Sequence, residues 1–268
     1  MPRVTVAMSV HNAIKPAYAS MAIDSILNQT FHDLELRIVS DGPLAEPLSR
    51  VLQDSAHRDS RVLLSASAKC QGLAVSMNRI IEETDSAYFA RMDADDISLP
   101  LRIEEQVEHL EANLSLDLTG TFAREIDECG KILFDKCMPV DSADILKFMP
   151  YRNPFIHPSV VFRRRFFTQA GLYPTDLPGM EDTGLWIRAL TQGVQASNVP
   201  KYLYLFRIDA QFWQRRRGLA RAFRETWLRV GSIRSLHLPW YKYLMAPSYF
   251  AFRLSPPPVV KYIYFKFR

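Results

Sequence analysis

Short apolar runs alternate with amphipathic stretches through the first third of the chain, and this alternation constrains the fold more than any other feature. The patterns follow one another as a strand at 4–10, a helix at 16–28, a strand at 34–40, a helix at 43–56, a strand at 61–65, a helix at 73–84 and a strand at 87–92. Strands that alternate with helices of this length predict an α/β fold with a Rossmann-like, mainly parallel sheet flanked by helices.

A further helix is expected after the last of these strands. Ser98 is placed to cap its N-terminus, and Pro100 suits its first turn. Ile103, Val107 and Leu110 then form one apolar face at helical spacing. The alternation of strand and helix therefore continues to about residue 112.

The net charge of +4 conceals a division of the chain into two parts. Residues 211–268 carry 12 Lys and Arg and a single acidic residue, Glu225, so this segment has a charge of +11 and the first 210 residues have a charge of −7. We therefore expect an acidic globular body at 1–210 and a basic, aromatic, helical tail at 211–268.

Three cysteines without CxxC spacing predict neither a disulfide framework nor a zinc site, which fits a reducing cytosol. We find no leader-like pattern at the start and no apolar run of 18 residues, so neither a signal peptide nor a membrane-spanning helix is expected.

Polar residues follow three of the four predicted strands. The first strand ends at Val10-His11-Asn12, the second at Ser40-Asp41-Gly42 and the fourth at Asp93-Ala94-Asp95-Asp96. In parallel sheets ligands bind beyond the carboxyl ends of the strands, so these residues predict a site at one sheet edge. Ordinary turn chemistry is the alternative, because Asn, Asp and Gly are common in loops.

The three carboxylates of Asp93, Asp95 and Asp96, called the acidic cluster below, point to a cation. Like charges this close repel one another unless they are solvated or neutralised. Oxygen ligands of this kind suit Mg²⁺ or Mn²⁺, which complete their coordination with phosphate oxygens and water. A solvated turn, with Asp96 capping the next helix, is the alternative.

Several further motifs occur in a fixed order between residues 3 and 207. They are Val4–Asn12, Asp24–Thr30, Ile38–Gly42, Gly72–Asn78, Met92–Asp96, Pro100-x-Arg102-x₃-Gln106, Asn153–Ser159, Gly179–Asp182, Leu185–Arg188 and Tyr204–Arg207. This set resembles the family-2 inverting glycosyltransferases of the GT-A fold. The resemblance implies a nucleotide-sugar-binding half at 1–115 and an acceptor-binding half at 116–210.

The resemblance also implies roles in binding the donor. Asp95 is expected to hold Mn²⁺ or Mg²⁺ on the diphosphate of a UDP-sugar, with Asp93 near the ribose or the metal. Asp41 is expected to contact the uracil. The remaining donor-binding residues implied by the resemblance are Ser9, Val10, His11, Gly72 and Asn78.

For the chemical step, the resemblance implies Asp182 as the base that deprotonates the acceptor hydroxyl, with Glu181 beside it. A positioned carboxylate of this kind contributes on the order of 10²–10⁴ in rate. The alternative is that both acids merely open a helix, where they favour the helix dipole, and both roles are compatible. His157 is a candidate acceptor contact or a structural histidine, and Arg207 either approaches the diphosphate or lies on a solvated edge.

The tail contains an amphipathic pattern. Leu219, Phe223, Trp227 and Val230 fall on one side of a helix and form what we call the apolar stripe. Cationic side chains lie opposite the stripe or at its margin, namely Arg216, Arg217, Arg221, Arg224 and Arg234. Mixed aromatic and cationic residues, which recur at 256–268, suit an anionic membrane surface.

Two alternatives compete for the tail. The stripe packs on the body in one of them, with its cations meeting the body's negative charge. Nucleic-acid binding is the other, and the acidic body disfavours it, so no nucleic-acid partner is expected.

Together these features predict an inverting hexosyltransferase that extends a bacterial surface glycan, on a glycan or polyprenyl-diphosphate-linked acceptor. Its expected location is the cytoplasm, peripheral on the inner face of the cell membrane. A non-catalytic nucleotide-sugar or membrane-surface binding protein with the same fold is the alternative.

Overall fold

A nine-stranded mixed sheet forms the centre of the molecule. The computed structural model describes residues 2–209, 218–256, 258–260 and 262. The strands are β1 (Val4–Val10), β2 (Leu34–Asp41), β3 (Val62–Ser67), β4 (Tyr88–Asp93), β5 (Ile97–Ser98), β6 (Leu116–Ile126), β7 (Ile132–Lys136), β8 (Val161–Arg163) and β9 (Gln195–Arg207). The helices are α1 (Pro16–Leu27), α2 (Glu46–Arg58), α3 (Leu73–Glu82), α4 (Arg102–Ala112), α5 (Ser142–Phe148), α6 (Arg164–Ala170), α7 (Glu181–Thr191), α8 (Leu219–Ser235) and α9 (Met245–Leu254), with 3₁₀ turns at His157–Ser159 and Trp240–Leu244.

The first half of the sheet confirms the predicted parallel arrangement. Strands β3, β2, β1 and β4 lie side by side in that order, and all three pairings are parallel. The predicted helix at 43–56 begins later, at Glu46, because Pro47 has no amide hydrogen and is accommodated only in the first turn of a helix. Because these strands are parallel, the carboxyl ends of β1, β2 and β4 meet at one edge of the sheet, as the sequence predicts.

The second half of the sheet is mixed. Strand β8 pairs antiparallel with both β4 and β6, while β6 and β9 are parallel. Strand β5 pairs antiparallel with β9, and β7 pairs antiparallel with β6. This half carries the later part of the chain back toward the end of β4.

Ser98 does not cap helix α4, so that prediction is wrong. Ser98 lies in β5, and its backbone amide donates to the Ser25 hydroxyl at 3.1 Å. Gln29, from the end of α1, caps the helix instead: its side-chain oxygen accepts from the Ile103 amide at 3.0 Å, and its nitrogen donates to the Leu99 carbonyl at 2.9 Å. A cap supplied from 74 residues away leaves no local signal in the sequence.

Two buried polar side chains of α4 cross-link the halves of the sheet. Arg102 donates to the carbonyls of Arg91 at 3.0 Å and Pro158 at 3.3 Å. Gln106 donates to the carbonyls of Thr119 at 3.1 Å and Ser159 at 2.9 Å. Burial lowers the pKa of Arg102 to about 10. The motif at 100–106 therefore holds the backbone beneath the sheet edge.

The tail helix α8 turns its apolar stripe outward. Leu219, Phe223 and Trp227 are 69%, 66% and 68% exposed. Residues of the opposite face are buried against the body, among them Glu225, Arg229 and Ile233. The alternative in which the stripe packs on the body is therefore wrong, because buried polar contacts hold the helix there.

Part of the predicted tail lies outside the described residues. These positions are 210–217, which include Arg216 and Arg217, together with 257, 261 and 263–268. Among the helices that the structure describes, none combines the length and apolarity needed to cross a membrane.

Two glycines are expected to respond oppositely to alanine. A Cβ on Gly120 would overlap the side-chain oxygen of Asn198. Asn198 is buried, and its Nδ2 donates to the carbonyls of Pro139 and Pro154, so its side chain cannot move away. Gly120→Ala should lower the free energy of unfolding by about 2 kcal/mol. Gly231, inside α8, has open space around it, so Gly231→Ala should raise that free energy by up to about 1 kcal/mol.

Urea unfolding of both variants measures this difference. Equal effects of the two substitutions would contradict the close contact between β6 and β9 at Gly120.

Candidate active site

The acidic cluster lies at the end of β4 and in the turn that leads to β5. Carboxylate oxygens of Asp93, Asp95 and Asp96 all lie within 4.8 Å of one another. Asp93 and Asp95 are partly exposed, whereas Asp96 is buried. These are hard oxygen donors that converge at a partly open sheet edge, so the donor set fits Mg²⁺ or Mn²⁺.

Asp96 stabilises the turn between β4 and β5. Its Oδ1 accepts from the backbone amide of Arg207 at 2.7 Å, which ties the turn to the end of β9. Burial, followed by the charges of Asp95 and Asp93, raises the pKa of Asp96 well above its ordinary value. The alternative that Asp96 caps α4 is wrong, because its bonded oxygen is directed at β9.

Arg207 braces the same turn from inside the protein. Its Nε donates to the Asp95 carbonyl at 2.8 Å, and its Nη1 donates to the carbonyl of Asp127 at 3.0 Å. The guanidinium carbon lies 4.2 Å from the centroid of the Tyr18 ring. Arg207 is only 5% exposed, so the solvated-edge alternative is wrong. A diphosphate contact by Arg207 stays a prediction.

Sequence reasoning missed Arg91, which lies within β4. Arg91 is buried and its Nη2 lies 2.5 Å from Asp93 Oδ1. Burial alone would lower the pKa of Arg91, but the charge of Asp93, with Tyr173 and Tyr204, raises it. A lone cation inside an otherwise apolar strand is the signal that could have identified it.

The strand ends predicted to frame the base lie next to one another. Ser9 and Val10 are the last residues of β1, and Ser9 is in register with Asp93 on one side and Val39 on the other. His11 follows at the surface, with Nδ1 accepting from the Ala13 amide at 3.3 Å.

Asp41 connects this edge to the start of helix α3. Its Oδ1 accepts from the Gln71 amide at 2.6 Å, and its Oδ2 accepts from the Gly72 amide at 3.0 Å. Each oxygen keeps a further lone pair. Asp41 and Gly72 are therefore brought together, as the predicted donor site requires.

Asn78 is connected to the candidate site through the backbone of Tyr173. Its Nδ2 donates to the Tyr173 carbonyl at 2.9 Å, and its Oδ1 accepts from the Tyr173 amide at 2.8 Å. Asn78 thereby fixes the backbone of Tyr173, another residue that sequence reasoning missed. Its predicted contact with the donor stays a prediction.

Asp182 lies in the first turn of α7, and its carboxylate is held at both oxygens. Oδ2 accepts from Asn153 Nδ2 at 2.5 Å, and Oδ1 accepts from the Thr183 amide at 2.6 Å. The pKa of neighbouring Glu181 is raised by burial and then by the charge of Asp182. Glu181 and Asp182 do lie in the first turn of a helix, as the alternative predicted. This position is also compatible with a catalytic role for Asp182.

Tyr173 lies close enough to Asp93 of the acidic cluster and to the acids at the start of α7 for their charges to affect the pKa of its hydroxyl. Burial raises the pKa of its hydroxyl, and the charges of Asp182, Glu181 and Asp93 raise it further. The charge of Arg91 acts in the opposite direction and lowers the pKa of both Tyr173 and Glu181. The acidic cluster and the start of α7 therefore flank the same region of the molecule.

His157 packs behind Tyr173. Its Nε2 lies 3.0 Å from the Tyr173 hydroxyl, and its ring meets Trp186 edge-on with centroids 5.8 Å apart. Burial, and then the charge of Arg91, lowers the pKa of His157 well below its ordinary value, so the ring is neutral at pH 7. The structural alternative for His157 accounts for these contacts, and an acceptor contact stays a prediction.

Comparison with known proteins gives a consistent result. The family model described as glycosyl transferase family 2 matches residues 5–171. The amylovoran biosynthesis glycosyltransferase AmsE of Erwinia amylovora is 35% identical over 214 residues, which cover 80% of this chain and 79% of that protein. A UDP-Gal:α-D-GlcNAc-diphosphoundecaprenol β-1,3-galactosyltransferase of Escherichia coli is 26% identical over 267 residues, which cover 99% and 96%.

A solved structure extends the comparison to the fold. The mannosyltransferase PcManGT from Pyrobaculum calidifontis, in complex with GDP-Man and Mn²⁺, matches with a TM-score of 0.70 at 16% identity, covering 99% of this chain and 76% of its own. This likeness confirms the predicted GT-A fold.

Neutralising Glu181 should stabilise the protein increasingly as the pH rises. A carboxyl whose pKa is raised by folding contributes stability that is present below the unfolded pKa, about 4.5, and is lost as the pH rises through the folded value. The melting temperature of Glu181→Gln minus that of the wild type should therefore grow with pH above about 4.5.

Thermal unfolding between pH 4 and pH 8 measures this difference. Glu46→Gln, which removes a first-turn acid from the exposed side of α2, is the matched control and should show no such gain. A constant difference for Glu181→Gln across the range would contradict the burial of this carboxyl.

Proposed function

The chain belongs to glycosyl transferase family 2, and from this premise we propose that it is a metal-dependent, inverting hexosyltransferase. It moves a hexose or N-acetylhexosamine from a UDP-sugar to a glycan or lipid-linked acceptor in bacterial surface-polysaccharide synthesis. The observation that carries the proposal is the convergence of the three carboxylates of the acidic cluster within 4.8 Å, together with the Asp182 carboxylate that Asn153 and Thr183 hold.

The donor binds at the edge formed by β1, β2 and β4. Asp41 and Gly72 take the uracil side, the backbone at 9–11 frames the base, and Asp95 with Asp93 holds Mn²⁺ or Mg²⁺. When bound, the ion supplies Lewis-acid stabilisation of the charge that develops on the departing diphosphate. Mn²⁺ accompanies GDP-Man in the PcManGT complex, which supports the choice of metal.

Asp182 performs the proton transfer at the acceptor. Oδ1 accepts from the amide and the hydroxyl of Thr183, whereas Oδ2 accepts from Asn153 alone, so a lone pair of Oδ2 is left to receive the proton of the attacking hydroxyl. The hydroxyl oxygen forms its bond to the anomeric carbon as the bond to the diphosphate breaks, which inverts that carbon. Burial, and then the charge of Asp182, raises the pKa of the neighbouring Glu181.

We assign the tail a role in binding a membrane surface. Besides the apolar stripe, Trp240 and Leu244 are 75% and 72% exposed, and the cations Arg224 and Arg234 of α8 are also exposed. Aromatic and basic side chains of this kind suit the headgroup region of an anionic leaflet. A polyprenyl-diphosphate acceptor at the cytoplasmic face would lie in that leaflet, and the name of the E. coli relative supports such an acceptor.

A non-catalytic binding protein with the same fold is the second candidate. The exposed stripe favours it equally, because membrane binding needs no turnover. The held carboxylate of Asp182 favours the enzyme, since nucleotide-sugar binding alone needs no second acidic site.

Two substitutions should separate metal binding from proton transfer. With Mn²⁺ and UDP-Gal, UDP-GlcNAc or GDP-Man as donor, Asp182→Asn should lower kcat by about 10²–10⁴ while leaving UDP affinity unchanged. Asp95→Asn should abolish the Mn²⁺ stimulation and weaken Mn²⁺–UDP binding together. Calorimetric titration with UDP, and assay of the UDP or GDP that the donor releases, measure both effects.

Glu128→Gln, a change at the exposed Lys15–Glu128 pair, is the matched control. Wild-type transfer by Asp182→Asn would overturn the base assignment. A wild-type protein that binds UDP with Mn²⁺ and turns over none of the donors would favour the binding protein.

The apolar stripe should bind vesicles. Replacing Phe223 and Trp227 together with Ser should weaken binding to phosphatidylglycerol vesicles, measured by sedimentation, by about a hundredfold or more, because about 1.5–3 kcal/mol is lost for each of the two buried side chains. Ile132→Ser with Leu133→Ser, which changes two exposed apolar residues of β7, is the control. Equal binding to neutral phosphatidylcholine vesicles, or no loss in the stripe variant, would contradict this role.

A further inference from the structure

A buried polar cluster joins the tail helices to the body. Arg229 of α8 donates to four partners: Tyr249 Oη at 2.9 Å, the Met149 carbonyl at 3.0 Å, Glu225 Oε1 at 3.2 Å and Asn153 Oδ1 at 3.4 Å. The Tyr249 hydroxyl donates to Glu225 Oε1 at 2.5 Å. We call Glu225, Arg229 and Tyr249 the α8 cluster.

The contact with Asn153 leads directly to Asp182. Asn153 Oδ1 accepts from Arg229 and from the Thr183 hydroxyl at 2.9 Å, and its Nδ2 donates to Asp182 Oδ2 at 2.5 Å. An ionised carboxylate only accepts hydrogen bonds, and a guanidinium only donates them. Only one orientation of the Asn153 amide satisfies both neighbours, and it presents the N–H to Asp182.

From this geometry we propose that Arg229 and Asn153 are positioning residues for the reaction. Arg229 fixes the orientation of the Asn153 amide, and Asn153 holds the carboxylate of Asp182 in the direction from which it accepts the proton. This inference rests on the proposed role of Asp182 as the base. It assigns to the tail a part in the chemical step that is separate from membrane binding.

The burial of the cluster explains why it can act in this way. Arg229 and Glu225 are 3% and 4% exposed, so their bonds are little screened by water. The guanidinium has its donors in a rigid fork, and bonds to Met149 and Tyr249 leave it little freedom. Glu181, the charged residue that precedes Asp182 in α7, is not among the bonded partners of Asn153 in the described chain.

The test is a double-mutant cycle between the two ends of this chain of bonds. Glu225→Gln with Arg229→Met removes both buried charges at once, retains the length of the Glu225 side chain and keeps an unbranched apolar chain in place of the Arg229 stem. Asn153→Ala removes the bond to Asp182. With Mn²⁺ and the donor that the wild type turns over, each change should lower kcat by about tenfold and leave the KM for the donor unchanged. Their combination should lower kcat no further than Asn153→Ala alone.

Ile233→Ala is the control for a loosened helix, because Ile233 is fully buried in α8 and is not part of the α8 cluster. It should lower the melting temperature without changing kcat. A crystal structure of the Glu225→Gln, Arg229→Met variant provides a readout that does not depend on activity. It should show the Asn153 amide or the Asp182 carboxylate in more than one orientation.

The outcomes separate the inference from the function it rests on. Wild-type kcat in the tail variant, an approximately hundredfold loss in the combination, or unchanged Asn153 and Asp182 side chains in the crystal would overturn the positioning role. Wild-type transfer by Asp182→Asn would instead overturn the base assignment. If the tail variant fails to fold, Asn153→Ala and Arg229→Lys with Glu225 intact repeat the cycle, and an additive result there overturns the proposal.

Discussion

The pairing of buried cations with the carboxylates at the end of β4 is the constraint on which the site depends. Arg91 lies inside the strand and neutralises Asp93, while Arg207 bonds the carbonyl of Asp95 and presents its amide to Asp96. Three carboxylates this close repel one another, and a buried guanidinium without a partner is equally costly. Each set therefore stabilises the other and holds the turn that carries the three carboxylates at the sheet edge.

The part of the fold that follows from local sequence was predictable. Period-two and period-3.6 patterns identify β1 to β4 and their helices to within a few residues, because each element buries a face of its own. Polar residues after β1, β2 and β4 were brought together for the same reason, since parallel strands end at a common edge. The acidic cluster was thus identified as a candidate from its position after β4, whereas the acids at the start of α7 were identified from the family resemblance.

What escaped prediction is non-local. The antiparallel pairings of β8, the cap that Gln29 supplies to α4 and the link between Asn78 and Tyr173 all join residues far apart in the chain. The tail shows the same limit: helical periodicity identifies the apolar stripe, but it does not say which side of the helix meets the body. Buried bonds of Glu225 and Arg229 decide that question, and they outweigh the hydrophobic pattern.

The two faces of α8 have a practical consequence. Its outward aromatic residues are natural candidates for removal when a less aggregation-prone protein is wanted. Shortening the chain near residue 210 would remove them in one step. The same cut would discard Arg229 and uncover the buried carbonyl of Met149 to which it donates. Resurfacing the outer face, residue by residue, is the sounder route to a tractable protein.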